Sequence, residues 1–160
     1  MDRSFIAFGD SGDVRQFIRI IRAFALAGRL GERLTIVGCA QKRRKLAKWT
    51  EALRIGGVTV FADAEDRDLW VCDPRTVIIF ARLHKGHEHR LLDALSNGVP
   101  VVALGCDRRS SLFGRYAPII DLPTSDDVVG LSHVMLTVCR NKSHSGTSAA
   151  PRAVGQEAFI

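Results

Sequence analysis

The sequence predicts an α/β domain with a mostly parallel, doubly wound sheet of about six strands. Short, β-branched segments recur along the chain, and segments with helical spacing lie between them. The short segments are continuously apolar rather than alternating, which is typical of strands buried on both faces of a parallel sheet. The predicted strands are residues 4–9, 34–38, 58–61, 76–80, 99–104 and 118–122.

The first predicted helix covers residues 14–30. Its apolar side chains recur at the helical period and form one stripe, while arginines face away from that stripe. The stripe comprises Val14, Phe17, Ile18, Ile21, Phe24, Ala25 and Leu26. Asp13 is the expected N-cap of this helix, and Gly28 is the expected stop.

Three further helices follow from the same spacing. The second helix is marked by Leu46, Trp49 and Leu53. The third is marked by Leu91, Leu92 and Leu95 and ends at Asn97-Gly98. The fourth covers residues 126–138, after Ser125. The alternation of strands and helices predicts right-handed crossovers between parallel strands. Ligands of such sheets bind at the carboxyl ends of the strands, so the loops after the strands are the expected site.

The bulk composition is that of a soluble globular protein, with 46% apolar and 25% charged residues. No apolar run approaches the roughly 20 residues that span a bilayer, and residues 1–5 lack the features of a signal peptide. A cytoplasmic location is therefore expected. Residues 1–140 are expected to form the domain, and residues 141–160 are expected to be a flexible or loosely docked tail, because residues 141–152 are rich in Ser, Ala and Gly without periodicity.

The net charge of +6 favours anionic partners. Basic side chains concentrate at the start of the second helix, in Lys42, Arg43, Arg44 and Lys45. This basic run is a solvated helix face, a contact for an anionic membrane surface, or a contact for a nucleotide phosphate. Nucleic acid is not an expected partner, because only 7% of the residues are aromatic and no recognition module is visible.

The four cysteines, Cys39, Cys72, Cys106 and Cys139, are spread along the chain without a close pair. This spacing indicates neither a disulfide framework nor a zinc site. They are predicted to be buried, packed thiols.

Residues 82–90 follow the fourth predicted strand and open the third helix. Backbone N–H groups at such a helix start favour a phosphate, and nearby Arg and Lys add positive charge; the alternative is a solvated basic loop. His84, His87 and His89 converge poorly on one another and lack a carboxylate or cysteine to complete a set. No metal site is therefore predicted.

The segment 76–103, TVIIFARLHKGHEHRLLDALSNGVPVVA, resembles the donor-binding segment of retaining GT-B glycosyltransferases of family 4. The Gly-Val-Pro-Val-Val run is its most specific part, and the resemblance extends over about residues 4–140. It implies a Rossmann-like fold and the C-terminal, nucleotide-sugar-binding half of a two-domain enzyme. Such a half would transfer hexosyl groups only together with an N-terminal acceptor-binding domain or a partner subunit. The resemblance implies no cofactor beyond the nucleotide-sugar substrate. The products implied are polysaccharides or glycolipids.

The resemblance also assigns site residues, although several motif positions differ from the family pattern. Lys85 and Asp93 stand at the positions of two glutamates eight residues apart, and Asp10 and Arg15 stand at the positions of an Arg and a Lys. The implied ligands are Arg15 and Lys85 for the diphosphate, Asp93 for the ribose, the backbone of Gly86 and His87, and the loop at Asp63 for the base. No residue is assigned as a catalytic base. Because Asp10 and Lys85 reverse charges of the pattern, a degenerate, non-catalytic interaction module is the alternative function.

Overall fold

A computed structural model describes residues 4–28, 32–63, 75–82, 85–104, 119–122 and 128–144. Several predicted features lie outside these residues: Cys72, His84, Cys106, Ser125 and the tail beyond residue 144. The side chains of Lys85 and Cys139 also lie outside the description.

The strands form one parallel sheet of six strands in the order β3-β2-β1-β4-β5-β6. The strands are β1 (Ser4–Phe8), β2 (Arg33–Val37), β3 (Thr59–Ala62), β4 (Thr76–Phe80), β5 (Val101–Leu104) and β6 (Ile119–Leu122). At the centre of the sheet, Phe8 at the end of β1 is in register with Val37 of β2 and Phe80 of β4. The predicted parallel sheet of about six strands is therefore confirmed, and all carboxyl ends lie along one edge.

The part of the chain that the structure describes contains the helices α1 (Val14–Ala27), α2 (Arg43–Ala52), α3 (Glu88–Ser96) and α4 (Val128–His144). Helices α1, α2 and α4 contribute side chains to one apolar cluster with Phe5 and Ala7 of β1. Helix α3 packs on the opposite face, in a second cluster that contains Ile6 and Phe8. Successive β1 side chains thus enter opposite cores, because side chains alternate along a strand. This arrangement confirms the doubly wound prediction.

Several predicted core positions are wrong. Leu26 is 59% exposed and Leu92 is 41% exposed, whereas Ile20 of α1 is fully buried. Leu26 follows Phe17 by nine residues, which places it about half a turn away around the helix. Leu92 follows the buried Leu91 directly, and adjacent residues on a helix do not share a face.

Three further predictions, one each on β3, α2 and α4, also need correction. Val60 of β3 is 43% exposed, so β3 is not buried on both faces, because it is the edge strand of the sheet. Trp49 of α2 is 37% exposed rather than packed in the core. Helix α4 continues to His144, six residues beyond its predicted end at Val138.

Candidate functional site

The order of the strands reverses direction at β1. The chain runs outward from β1 through β2 to β3, then returns to form β4 on the other side of β1. Helix α1 leaves β1 toward one face of the sheet, and α3 leaves β4 toward the other. The carboxyl ends of β1 and β4 therefore bound a crevice, at the topological switch point where ligands of such sheets bind.

The floor of this crevice is formed by strand ends that approach closely. Gly9 N–H donates to the Val37 carbonyl at 3.2 Å, and Ala81 N–H donates to the Phe8 carbonyl at 2.8 Å. A Cβ on Gly9 would lie 2.8 Å from Phe17 Cζ and 2.9 Å from Ala81 Cβ. Only glycine fits at the end of β1, because α1 and β4 crowd it from both sides.

Gly38, which follows β2, is constrained in a second way. Its φ is +94°, and a Cβ there would overlap the carbonyl oxygen of Gly9. Gly38 thus allows the ends of β1 and β2 to approach, whereas Gly9 allows α1 and the end of β4 to approach β1. Both glycines keep side chains away from the crevice floor.

The loop after β1 carries negative charge. It forms a single 3-10 turn, Ser11–Asp13, in which Asp10 N–H donates to Asp13 Oδ2 at 2.9 Å and Asp13 N–H donates to the Asp10 carbonyl at 2.9 Å. Asp13 does occupy the predicted N-cap position of α1, but its carboxylate bonds to Asp10 rather than to the helix. Arg15 is exposed in the first turn of α1.

The loop after β4 leads into α3 through a 3-10 turn, Lys85–His87. Gly86 is exposed, whereas His87 is only 5% exposed at the N-cap position of α3. The His87 ring lies 5.5 Å from the Phe80 ring, and the Phe80 ring lies 5.9 Å from the Phe8 ring, between centroids. The imidazole therefore belongs to an aromatic row under α3, which leaves His87 its backbone for the contact implied by the resemblance.

Arg90 belongs to residues 82–90, which the sequence analysis predicted to favour a phosphate, but it was assigned no ligand role of its own. It lies in the first turn of α3, and its guanidinium carbon is 5.3 Å from the centroid of the Phe8 ring. Burial lowers the pKa of Arg90, and the negative charge of Asp10 raises it in opposition. The side chain nevertheless stays a cation, because arginine does not lose its proton in proteins. The available signal was spacing, since Arg90 follows His87 by three residues and so shares its helix face.

The two predicted acidic ligands are both exposed. Asp93 is exposed on α3, and its main-chain carbonyl accepts a bond from Asn97 Nδ2 at 2.7 Å. Asp63, directly after β3, forms an exposed ion pair with Arg43, with 3.7 Å between Oδ1 and Nη2. Arg43 also lies over the Phe61 ring at 5.8 Å. An exposed pair of this kind contributes only about 0–1 kcal/mol, so it holds Asp63 weakly.

Cys39 follows Gly38 at the same edge of the sheet and is 2% exposed. Burial raises the pKa of its thiol, and the positive charge of Arg43 lowers it in part. The predicted role of Cys39 as a packed thiol is confirmed. Within the part of the chain that the structure describes, no group of His, Cys, Asp and Glu side chains is arranged to hold a metal ion. None of the described helices is long and apolar enough to cross a membrane.

Comparisons with known proteins agree with this architecture. The chain matches no protein-family model and no curated protein sequence. It is similar in structure to sucrose-phosphate synthase from Thermosynechococcus elongatus, with a TM-score of 0.67, 16% identity, and coverage of 98% of this chain and 41% of that one. The shared fold is that of one Rossmann-like half of a GT-B glycosyltransferase.

Two further glycosyltransferases are similar in structure to this chain. The lipopolysaccharide outer core galactosyltransferase WaaB matches with a TM-score of 0.58 and 16% identity over 88% of this chain and 41% of its own. WaaG, a glycosyltransferase involved in lipopolysaccharide biosynthesis, matches with a TM-score of 0.57 and 17% identity over 99% of this chain and 46% of its own. The chain thus spans less than half the length of each of these proteins.

The predicted site residues are distributed along the switch-point edge of the GT-B half. Arg15 begins α1, Gly86 and His87 precede α3, and Asp63 follows β3, two strands away from β1. The structure places the Arg90 guanidinium, which the resemblance did not assign as a ligand, over the Phe8 ring at the end of β1. The ligand roles of Arg15, Lys85, Asp93 and Asp63 stay predictions.

Proposed function

We propose that this chain is the C-terminal, donor-binding half of a retaining glycosyltransferase that uses a nucleoside-diphosphate sugar. The observation that carries the proposal is the crevice at the carboxyl ends of β1 and β4, in a fold shared with halves of three carbohydrate-synthesising proteins. A crevice at a switch point of this kind is the usual place for a nucleotide.

In this proposal the chain binds the donor but does not complete the reaction alone. In the transfer, the bond between the sugar's anomeric carbon and the diphosphate breaks, and a bond forms between that carbon and an acceptor oxygen, which loses its proton. The diphosphate leaves with additional negative charge. The contribution of this half is to position the donor and to stabilise that charge, by Arg15 and Lys85 on the diphosphate and by Asp93 on the ribose. The acceptor and the rest of the cleft come from an N-terminal domain or a partner subunit.

A second candidate function is a degenerate, non-catalytic interaction module. The observation that favours it is the loop after β1, where Asp10 and Asp13 contribute two carboxylates and the Asp13 carboxylate lies beside Gly9. A diphosphate near these carboxylates is repelled unless a cation intervenes. In this alternative the fold persists to complete or dimerise with a partner enzyme.

A membrane surface is the further partner proposed, with the protein held at the cytoplasmic leaflet, where anionic lipids lie. Lys42, Arg43, Arg44 and Lys45 are exposed, and Trp49 on the same helix is 37% exposed. Basic side chains near an anionic surface contribute about 1 kcal/mol each, and an exposed Trp inserts at the interface. Sedimentation with vesicles that contain 30% phosphatidylserine should retain the wild type and release Lys42→Glu/Lys45→Glu, whereas neutral vesicles should retain neither. Equal retention on both vesicles would contradict this partner.

The donor-binding proposal is tested by titrating the purified chain with UDP, GDP, ADP and representative nucleotide sugars, followed by calorimetry or by NMR line broadening. We expect one nucleotide to bind in the micromolar to low-millimolar range. Arg15→Ala and Asp93→Ala should each weaken that binding, and the matched control Arg22→Ala, an exposed residue further along α1, should not. Failure of every nucleotide to bind at several millimolar, in protein shown by circular dichroism to be folded, would reject the donor site and favour the interaction module.

A further inference from the structure

The loop after β1 does not contain the cation that a diphosphate in this crevice requires. Residues 9–13 read Gly-Asp-Ser-Gly-Asp and carry two carboxylates and no Lys or Arg. A diphosphate placed over this loop would meet negative charge first, and like charges at close range cost free energy. The cation must therefore come from another element at the switch point.

Arg90 is placed to be that cation. It lies in the first turn of α3, and its guanidinium lies over the ring of Phe8. Phe8 is the last residue of β1 before the acidic loop. The stem is partly buried, and Phe8 is held below it by Phe80 and by the bond from Ala81 N–H to the Phe8 carbonyl. A guanidinium stacked on a rigid ring loses little rotamer freedom when it binds an anion.

Asp10 follows Phe8 by two residues, the Arg90 guanidinium lies over the Phe8 ring, and the negative charge of Asp10 raises the pKa of Arg90. A guanidinium has five N–H donors in a planar fork, so it can donate to a carboxylate on one edge and to a phosphate on another. The two anions nevertheless compete for one positive charge. An anionic ligand and the Asp10 carboxylate should therefore weaken each other's interaction with Arg90.

We propose that Arg90 supplies, from α3, a further positive charge for the diphosphate in this crevice beside Arg15 and Lys85, and that Asp10 is its internal competitor. This inference rests on the proposed donor-binding function and deepens it. In this inference Arg90 binds the ligand. The alternative is that Arg90 only balances the charge of Asp10 within the folded protein. The two roles differ in the sign of the effect of removing Asp10.

The test measures the affinity of UDP, inorganic pyrophosphate and uridine for the full chain and for single substitutions. Arg90→Gln keeps a long polar stem over Phe8 and removes the charge; it should weaken UDP and pyrophosphate about 10-fold to 100-fold, the loss expected for one charge-assisted hydrogen bond. Uridine, which has no phosphate, should bind the variant as it binds the wild type. Asp10→Asn should strengthen UDP and pyrophosphate several-fold. Arg22→Ala is the matched loss of an exposed arginine and should leave all three affinities unchanged.

The outcomes separate this inference from the proposed function. If the wild type binds UDP and Arg90→Gln binds it equally well, the inference is overturned while donor binding stands. If the wild type binds pyrophosphate through Arg90 but none of UDP, GDP or ADP more tightly, the donor-binding function fails and the anion site stands. Weaker binding to Asp10→Asn than to the wild type would overturn the competition between Asp10 and the ligand. Thermal unfolding of each variant identifies any loss of folding, and Arg90→Lys, which keeps the charge, should then recover binding in part.

Discussion

Replacing Gly38 by alanine should destabilise the domain strongly, because two independent penalties meet at this residue. Its φ of +94° lies in the left-handed region, where a side chain costs about 1–2 kcal/mol. In addition, the new Cβ would overlap the Gly9 carbonyl oxygen, which is backbone and is held by its own strand. Moving β1 and β2 apart to relieve such an overlap costs about 1–3 kcal/mol. The expected loss is therefore about 2–5 kcal/mol, a large share of the 5–15 kcal/mol that stabilises a typical domain.

Two other glycines separate the two penalties. Gly98 has a φ of +67° but nothing within 4 Å of its hypothetical Cβ, so Gly98→Ala should lose only the conformational part, about 1–2 kcal/mol. Gly12 has neither feature, since nothing lies within 4 Å and its φ is not positive. Gly12→Ala should therefore change stability by no more than about 0.5–1 kcal/mol.

The assay is thermal unfolding followed by circular dichroism, with urea unfolding as an independent measure. Each kcal/mol lowers the melting temperature of a domain of this size by roughly 2–4 °C, so Gly38→Ala should melt about 10 °C below the wild type. If Gly38→Ala has the same melting temperature as Gly98→Ala, the overlap with Gly9 is refuted. If Gly38→Ala has the same melting temperature as Gly12→Ala, both penalties are refuted, and so is the close approach of β1 and β2 at the crevice floor.

Two further predictions concern burial. Ile20→Ala should lower the free energy of unfolding by about 2–5 kcal/mol, because Ile20 is fully buried, whereas Leu26→Ala, at a position 59% exposed, should cost under about 1 kcal/mol; equal urea midpoints for the two would contradict the assigned faces of α1. The raised pKa of Cys39 means that folding favours its neutral thiol, so this contribution is complete below the ordinary thiol pKa of about 8.5 and is lost as the pH rises toward the folded-state pKa. Between about pH 8 and about pH 10, the free energy of unfolding measured in urea should therefore fall more for the wild type than for Cys39→Ala. If the free energy of unfolding of the two proteins changes with pH in the same way, the Cys39 thiol does not contribute to the pH dependence.

Much of the fold was predictable because its signals are local. The strand predicted at residues 76–80 is β4 itself, Thr76–Phe80, and all five of its side chains are buried. Continuous apolar runs identify such central strands, since both faces are covered. The same rule failed at β3, where Val60 is exposed, because the position of a strand at the edge of a sheet is not written in its own residues.

The site was less predictable, and Arg90 shows why. The resemblance directed attention to motif positions, Arg15, Lys85 and Asp93 among them, and Arg90 is not one of these. Its importance comes from its contact with Phe8 and from the charge of Asp10, both about 80 positions earlier in the chain. No local pattern encodes a contact over that separation.

By itself, the sequence determined the class of the domain, the segments that form its strands and helices, and the edge at which a ligand would bind. These follow from hydrophobic period and from the rule that parallel strands share a carboxyl edge. Only the tertiary structure decided that Gly9 and Gly38 close the crevice floor, that the His87 ring is buried beside the Phe80 ring, and that the Arg90 guanidinium lies over the Phe8 ring, where the charge of Asp10 raises its pKa. The reason is physical: burial, overlap and the charge felt by a side chain depend on which distant segments the fold brings within a few ångströms.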